Sequence, residues 1–219
     1  MKVGIIGSGG REHALCVSLE KPEVIEKIYC VPGNAGTNQI AENVNIDISD
    51  FKKLTSFVKE KKIEIVLVGP EKPLVDGIVD HLENENVKVF GPNKFASQLE
   101  GSKIFTKKIC KKYEIPTAKF EIYNDKEKAH SFFKNCNFPV VIKADGLAAG
   151  KGVYICEKED EAKQAVNEIF GGKFGVSKEV LIEEFLDGEE MSFFIISDGV
   201  SFKEFGTAQD HKRVFEGDK

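Results

Sequence analysis

The stretch 140-VVIKADGLAAGKGVYI-155 runs two short apolar segments into and out of a loop that holds Gly146, Gly150 and Gly152. Its centre, 146-GLAAGKG-152, looks like a nucleotide-phosphate loop, but the spacing decides otherwise. A Walker A loop puts four residues between its glycine and its Gly-Lys pair, and a Ser or Thr after the lysine. Here three residues intervene and Gly152 follows Lys151. A P-loop also joins a strand to a helix, whereas 140-VVIKA-144 and 152-GVYI-155 both read as strands. The pattern therefore predicts the tip of a flexible β-hairpin, a flap that could close over a triphosphate. Its glycines permit backbone approaches denied to other residues, and Lys151 adds charge at the tip. Lys143 falls inside the apolar strand, where an ammonium is costly to bury unless an anion meets it. It either meets a phosphate or points to solvent.

Upstream of this hairpin the pattern is different. Four Val- and Ile-rich runs, 2-KVGII-6, 27-KIYCV-31, 63-IEIVLV-68 and 87-VKVF-90, alternate with helical segments. Those segments, 11-REHALCVSLE-20, 50-DFKKLTSFVKE-60 and 74-LVDGIVDHLE-83, carry apolar residues three and four apart, and Ser49 or Asp50 could cap the second. This is the alternation of a parallel α/β sheet with right-handed crossovers. Each strand runs straight into a Gly- or Pro-containing loop: GSGG at 7–10, PGNAG at 32–36, GPE at 69–71 and GP at 91–92. Such loops share the carboxyl edge of the sheet, where ligands bind, although Gly and Pro also punctuate ordinary turns.

From about residue 101 the organisation becomes α+β. Helices are expected at 102-SKIFTKKICKKY-113, 125-DKEKAHSFFKN-135 and 159-EDEAKQAVNEIF-170, and a strand at 179-EVLIEEF-185. The runs 191-MSFFIIS-197 and 201-SFKEFGTA-208 follow Asp-Gly turns, which favour antiparallel pairing. No internal repeat or low-complexity segment is visible. The chain stops at VFEGDK, where nothing seals the second sheet, so an incomplete domain is expected.

Composition narrows the function classes. The 219 residues are 41% hydrophobic and 31% charged, which suits a soluble globular protein with room for two modest cores. A net charge of -5 argues against a nucleic-acid partner, since phosphate backbones are bound through clustered Lys and Arg. Runs such as 58-VKEKK-62 read as solvated helix faces. The five cysteines lack C-x-x-C spacing and read as free thiols in a reducing compartment. MKVGIIGSGG is too short an apolar run for a signal segment or a membrane span, so a cytoplasmic protein without membrane association is expected.

The loops carry the candidate chemistry. GSGGRE departs from the dinucleotide fingerprint G-x-G-x-x-G, because Glu12 stands where the last glycine belongs, and no acid ends the second strand. Backbone N–H groups of Gly9 and Gly10 at a helix start, with Arg11 beside them, suit one phosphate monoester instead. Glu71 could accept hydroxyl hydrogens from a sugar on the same edge. Asn34 could do likewise or bond its own backbone, and His13 reads as structural. The segment 182-IEEFLDGEEM-191 is either an acidic surface turn or a source of backbone groups for adenine and a carboxylate for ribose.

Together GSGGREHAL, PGNAGT, VGPEKPLVDG, FGPNKFASQLEGSKIFTK, IPTAKF, VVIKADGLAAGKGV, IEEFLDGEEMSF and AQDHKR closely resemble the phosphoribosylamine–glycine ligase family, ATP-grasp enzymes of purine biosynthesis, in the same order along essentially the whole chain. The resemblance implies a Rossmann-like sugar-phosphate-binding domain at 1–100. A partial ATP-grasp domain would follow at 101–219, with a small lid subdomain at about 121–188. It implies ATP-dependent ligation of glycine to 5-phosphoribosylamine through an acyl phosphate, with Mg2+ or Mn2+. Carried over position by position, Lys103 and Lys143 would hold the ATP phosphates. Gly146, Gly150, Lys151 and Gly152 would form the lid tip. Glu183, Glu184, Phe185 and Leu186 would line the adenine pocket, and Glu190 would hold the ribose. Arg213, with Asp210 and His211, would face the reacting groups. The sugar phosphate would rest on Gly9, Gly10 and Arg11, helped by Asn34 and Glu71.

The family continues into an Asn-Thr-Gly-Gly-Met-Gly loop, a strand with the metal ligands and a carboxyl-terminal domain, none of which follows here. No metal ligand is therefore assigned in this sequence. Alone, the 219 residues are expected to bind the sugar phosphate and, weakly, ATP, with little or no turnover, as a monomer. Two alternatives stand beside this reading: another ATP-grasp carboxylate–amine ligase, or a noncatalytic nucleotide-binding module.

Overall fold

A computed structural model describes residues 1–147, 152–175, 177–209 and 216. It divides into two compact units, Met1–Glu184 and Phe185–Lys219.

The first unit opens with a parallel sheet. β1 (Lys2–Gly7), β2 (Lys27–Pro32), β3 (Glu42–Asn43), β4 (Ile65–Val68) and β5 (Val89–Phe90) lie in the order β3-β2-β1-β4-β5. Residues that alternate along the strands feed two separate cores. Ile6, Tyr29, Val31 and Val66 pack with Leu54, Phe57 and Val58 of α2 (Phe51–Lys61) and with Ile78, Val79 and Leu82 of α4 (Ile78–Asn84). Val3, Ile5, Ile28 and Cys30 face the other way, onto Cys16 of α1 (Gly10–Glu20). A sheet buried on both faces by crossover helices is the doubly wound arrangement. The Asp50 side chain accepts the Lys53 N–H at the start of α2, so of the two expected caps Asp50 is the one used.

Two expectations need correction in this sheet. The segment 74–83 is two helices, α3 (Glu71–Asp76) and α4, because Gly77 at φ 99° donates its N–H to Pro73 O and Leu74 O and ends the first. The short β3 was not expected, having only two paired residues.

After α5 (Gln98–Gly101) and α6 (Lys103–Lys112) comes an antiparallel sheet. It is built from β6 (Phe120–Tyr123), β7 (Val140–Ala144), β8 (Val153–Cys156) and β9 (Val180–Glu184), in the order β6-β9-β7-β8. α7 (Lys126–Phe132) and α8 (Glu159–Phe170) cover one face, where Val140, Ile142, Ala144, Val180 and Ile182 meet Ala129, Phe133, Ala162, Val166 and Ile169. The period of two then sends Val141, Lys143, Leu181 and Glu183 to the opposite face. β7 and β8 pair antiparallel from Val140↔Cys156 to Lys143↔Val153, the hairpin expected around the glycine stretch. Residues 148–151 of its tip lie outside the described residues.

The second unit contains the hairpin of β10 (Met191–Ser197) and β11 (Phe202–Gln209), turned at Asp198–Gly199 with Ser197 opposite Phe202. The other dipeptide, Asp187–Gly188, makes no hairpin with the strand before it. β9 lies between β6 and β7, so both its edges are already filled. All five cysteines are free thiols. Among the described residues no helix is long and apolar enough to cross a membrane.

Candidate functional site

Strand order in the parallel sheet reverses at β1, which has β2 on one side and β4 on the other. The loops after β1 and β4 therefore flank the crevice where an open α/β sheet binds its ligands. Gly9 caps α1, and its N–H is held at 2.5 Å by Oε2 of Glu12, three residues on. Glu12 is only 3% exposed. Its carboxylate lies against Gly69 in the β4 loop, where an added Cβ would sit 1.9 Å from Oε1. The glutamate that replaces the last glycine of a dinucleotide fingerprint thus occupies the crevice floor. Its Oε1 is buried without a hydrogen-bond partner among the described residues.

Above that floor, Arg11 Nη1 donates to Glu71 Oε1 at 2.7 Å, linking the β1 loop to the start of α3. The hydrogen bond raises the Arg11 guanidinium further and holds the Glu71 carboxyl below its ordinary range. Both groups are largely solvent-exposed, so the pair is weak and exchangeable.

Asn34 takes the role of a turn residue. Its Oδ1 accepts from Gly36 N and Thr37 N at 2.8 and 3.0 Å, and its Nδ2 donates to Ser8 O and Gly9 O at 2.9 and 3.2 Å. With the amide fully used, Asn34 fixes the β2 loop onto the β1 loop instead of presenting a free group to a sugar. His13 packs against Gly36, as a structural histidine would.

A cavity of about 680 Å³ opens beside the crevice, and Glu71 lines it together with Lys103, Lys107, Lys143, Gly146, Gly152 and Glu183. Lys103 begins α6 and donates to Gly146 O at 2.9 Å. Burial lowers its pKa, partly offset by Asp145. Asp145, at the end of β7, also accepts from Ser102 Oγ at 3.0 Å and from Ile104 N at 3.2 Å, fastening the flap base to the α6 N-terminus. On the face of the sheet opposite α7 and α8, Lys143 stands opposite Leu181 and Val141 opposite Glu183, which makes Lys143 and Glu183 diagonal neighbours. Lys143 Nζ lies 2.7 Å from Glu183 Oε2, and Lys107 Nζ lies 3.1 Å from Glu183 Oε1. Lys107 directs its hydrogen bonds elsewhere, to Thr117 Oγ1 at 2.6 Å and Ala118 O at 3.3 Å.

The structure thus brings Lys103, Lys143, Gly146, Gly152, Glu183 and Glu71 to one cavity. Gly9, Gly10 and Arg11 lie at the neighbouring helix start. Glu184 turns away from these lysines, its Oε1 accepting from Lys119 N at 2.8 Å. Phe185, Leu186 and Glu190 belong to the second unit and are exposed there. Gly150, Lys151, Asp210, His211 and Arg213 lie outside the described residues. Three residues not singled out from the sequence complete the arrangement: Glu12, Lys107 and Asp145. Lys107 had a signal, since it is one helical turn after Lys103 and shares its face.

The match to known families follows this architecture. Residues 1–100 match the family model described as phosphoribosylglycinamide synthetase, N domain, and residues 101–219 match its ATP-grasp (A) domain. A phosphoribosylamine–glycine ligase of Mesorhizobium japonicum is 52% identical over 219 residues, covering 100% of this chain and 52% of its own length. The crystal structure of a phosphoribosylamine–glycine ligase from Thermotoga maritima superposes with a TM-score of 0.84 at 35% identity, covering 100% of this chain and 52% of that one. The biotin carboxylase domain of a Hydrogenobacter thermophilus 2-oxoglutarate carboxylase shares the fold at 20% identity, with a TM-score of 0.74, over 94% of this chain and 49% of its own. The chain spans about half the length of the curated relatives it matches. With parallel sheet, antiparallel sheet and both family models in register from the first residue to the last, the chain belongs to the phosphoribosylglycinamide synthetase family.

Proposed function

We propose that this chain supplies the sugar-phosphate crevice and part of the nucleotide cavity of an ATP-dependent ligase that joins glycine to 5-phosphoribosylamine, yielding glycinamide ribonucleotide, ADP and phosphate. A carboxylate is a poor electrophile, so a glycine carboxylate oxygen first attacks the γ-phosphorus of ATP, breaking its bond to the bridging oxygen, expelling ADP and forming glycyl phosphate. The amine of phosphoribosylamine then attacks its carbonyl and expels phosphate. Such chemistry needs positioning and charge neutralisation more than a protein nucleophile.

The observation that carries this reading is the sharing of Glu71. The same carboxylate lines the lysine cavity and pairs with Arg11 at the glycine crevice, so a phosphorylated sugar and a polyphosphate would lie side by side. Lys103 and Lys143 are the phosphate ligands in this reading, and the Gly146 to Gly152 hairpin is the lid. Gly10 and Arg11 take the sugar phosphate, Gly9 shapes the loop with its own N–H held by Glu12, and Glu71 takes a ribose hydroxyl. Asn34 acts by holding the loop. Glu184 to Leu186 and Glu190 serve the adenosine moiety, whereas Glu183, expected beside them, is instead engaged by the phosphate-side lysines Lys143 and Lys107, and Asp210, His211 and Arg213 serve the reacting phosphate. The division at residue 100, the lid at about 121–188, a cytoplasmic location and a monomeric state belong to the same proposal. Among the described residues no cluster of three or more His, Cys, Asp or Glu could hold a metal. Magnesium or manganese would accompany the nucleotide's phosphates, and no metal ligand is assigned within those residues.

Titration calorimetry with ATP and, separately, ribose 5-phosphate tests the binding half of this proposal, each ligand being expected to bind independently of the other's presence. ADP release by the full-length protein should require both glycine and phosphoribosylamine. Release that is equal with and without phosphoribosylamine would refute the assignment.

A further inference from the structure

Glu183 is a carboxylate between two lysines that differ in kind. Lys107 is buried and tied down: besides Glu183 it meets Thr117 Oγ1 and Ala118 O, and its ammonium lies 5.4 Å from the centre of the Phe120 ring. Lys143, with 26% of its side chain exposed, lines the cavity, and among the described residues Glu183 is its one ion-pair partner. The carboxylate is 5% exposed. A charge buried to that degree is strongly unfavourable once its counter-ion leaves.

A lysine that is to hold a phosphate must turn away from the carboxylate it pairs with. If Lys143 were the only cation on Glu183, an incoming polyanion would have to strand a buried carboxylate in order to engage it. The second, immobile cation removes that penalty. Its hydrogen bonds to Thr117 and Ala118 hold it off the donor direction of Glu183 Oε1 but within 3.1 Å, so it neutralises the charge without depending on it for its own satisfaction.

We propose that Lys107 is a positioning residue, a standing counter-ion that keeps Glu183 neutralised so that Lys143 can pass from Glu183 to the phosphates of a nucleotide. This rests on the nucleotide reading of the cavity and adds a lining lysine whose ammonium stays bonded to Thr117 and Ala118 and beside Glu183 instead of moving to the phosphates.

The test is ATP affinity by calorimetry, with ribose 5-phosphate as an internal control. Lys107→Met should weaken ATP binding at least about tenfold, because Glu183 then retains Lys143, and leave ribose 5-phosphate binding unchanged. Lys107→Arg should keep ATP affinity near that of the wild type. The double variant Lys107→Met with Glu183→Gln removes both buried charges together and should restore ATP affinity to within a few-fold of the wild type. A merely structural lysine gives a different result: both ligands weakened alike in Lys107→Met, or no recovery in the double variant. Either outcome overturns the proposal. Should Lys107→Met not fold, the double variant decides, and ATP binding more than about tenfold weaker than the wild type overturns the proposal there as well. Wild-type protein that fails to bind ATP, or Lys143→Ala with unchanged affinity, would instead sink the nucleotide reading itself.

Discussion

Lys143 and Glu183 are diagonal neighbours on adjacent strands, with Nζ and Oε2 2.7 Å apart on the face of the antiparallel sheet opposite α7 and α8. The pair is held by strand register and not by a loop, so the lysine reaches the cavity from a rigid support. Replacing it removes a cation from the phosphate side while Glu183 keeps Lys107. Lys143→Ala is therefore expected to lower ATP affinity roughly tenfold to a hundredfold, the range of a charge-assisted hydrogen bond. The melting temperature should change little. Calorimetry and a thermal melt on the same preparation check both halves, and a large loss of stability with unchanged affinity would reverse the assignment.

Arg11 offers the matching test at the crevice. Its pairing with Glu71 is exposed, so breaking it should cost stability no more than about 1 kcal/mol. The guanidinium also belongs to the first turn of α1, where a phosphate monoester would be held although the Gly9 N–H is already engaged by Glu12. Arg11→Ala should weaken ribose 5-phosphate binding about tenfold or more and leave ATP affinity unaltered. Loss of both affinities would point to collapse of the loop.

Except for the two-residue β3, which carries no such run, the strands of the parallel sheet were legible because their apolar runs are short, β-branched and closed by Gly or Pro, and Asp50 announced the start of α2. The boundary within 74–83 was not, since the apolar spacing continues across Gly77 and only its positive φ breaks the helix. β6 escaped notice because its four residues gain their identity from pairing with β9, a contact sixty residues away in sequence. At the site, the β7–β8 pairing and the place of Lys143 on β7 followed from local pattern. For Lys107 the one local signal was the helix face it shares with Lys103; in KIFTKKICKK it otherwise looks like one more solvated lysine, and only the fold of IPTAKF and β9 around it makes it a buried cation. Glu12 was read as a missing glycine, whereas its side chain is what fills the space.

That space gives a steric prediction. A methyl group at Gly69 would fall 1.9 Å from Glu12 Oε1, and the glutamate's other oxygen is engaged by Gly9 N. Gly69→Ala should thus destabilise the protein by roughly 1–3 kcal/mol through overpacking. Combining it with Glu12→Gly should recover part of the loss, because the clash disappears even though the cap is gone. Urea denaturation of both single variants, the double variant and the wild type measures this. An additive loss in the double variant would mean that the two residues do not meet.

The last test concerns acid. Tyr154 of β8 and Lys173, beyond the end of α8, both bond Glu168, whose pKa is lowered from 4.5 to about 2, first by Lys173, then by Tyr154 and Gln164. A carboxyl whose folded pKa lies below its unfolded value stabilises the native state above the unfolded value, and that contribution fades as pH falls through the folded one. Glu168→Gln should accordingly be less stable than the wild type at neutral pH. The difference between the two should narrow as pH drops from 4.5 toward about 2, the interval over which the wild-type group takes up its proton. Paired thermal melts at pH 7 and pH 3 read this directly. A difference that stays constant between the two would show that Glu168 contributes through packing and not through its charge.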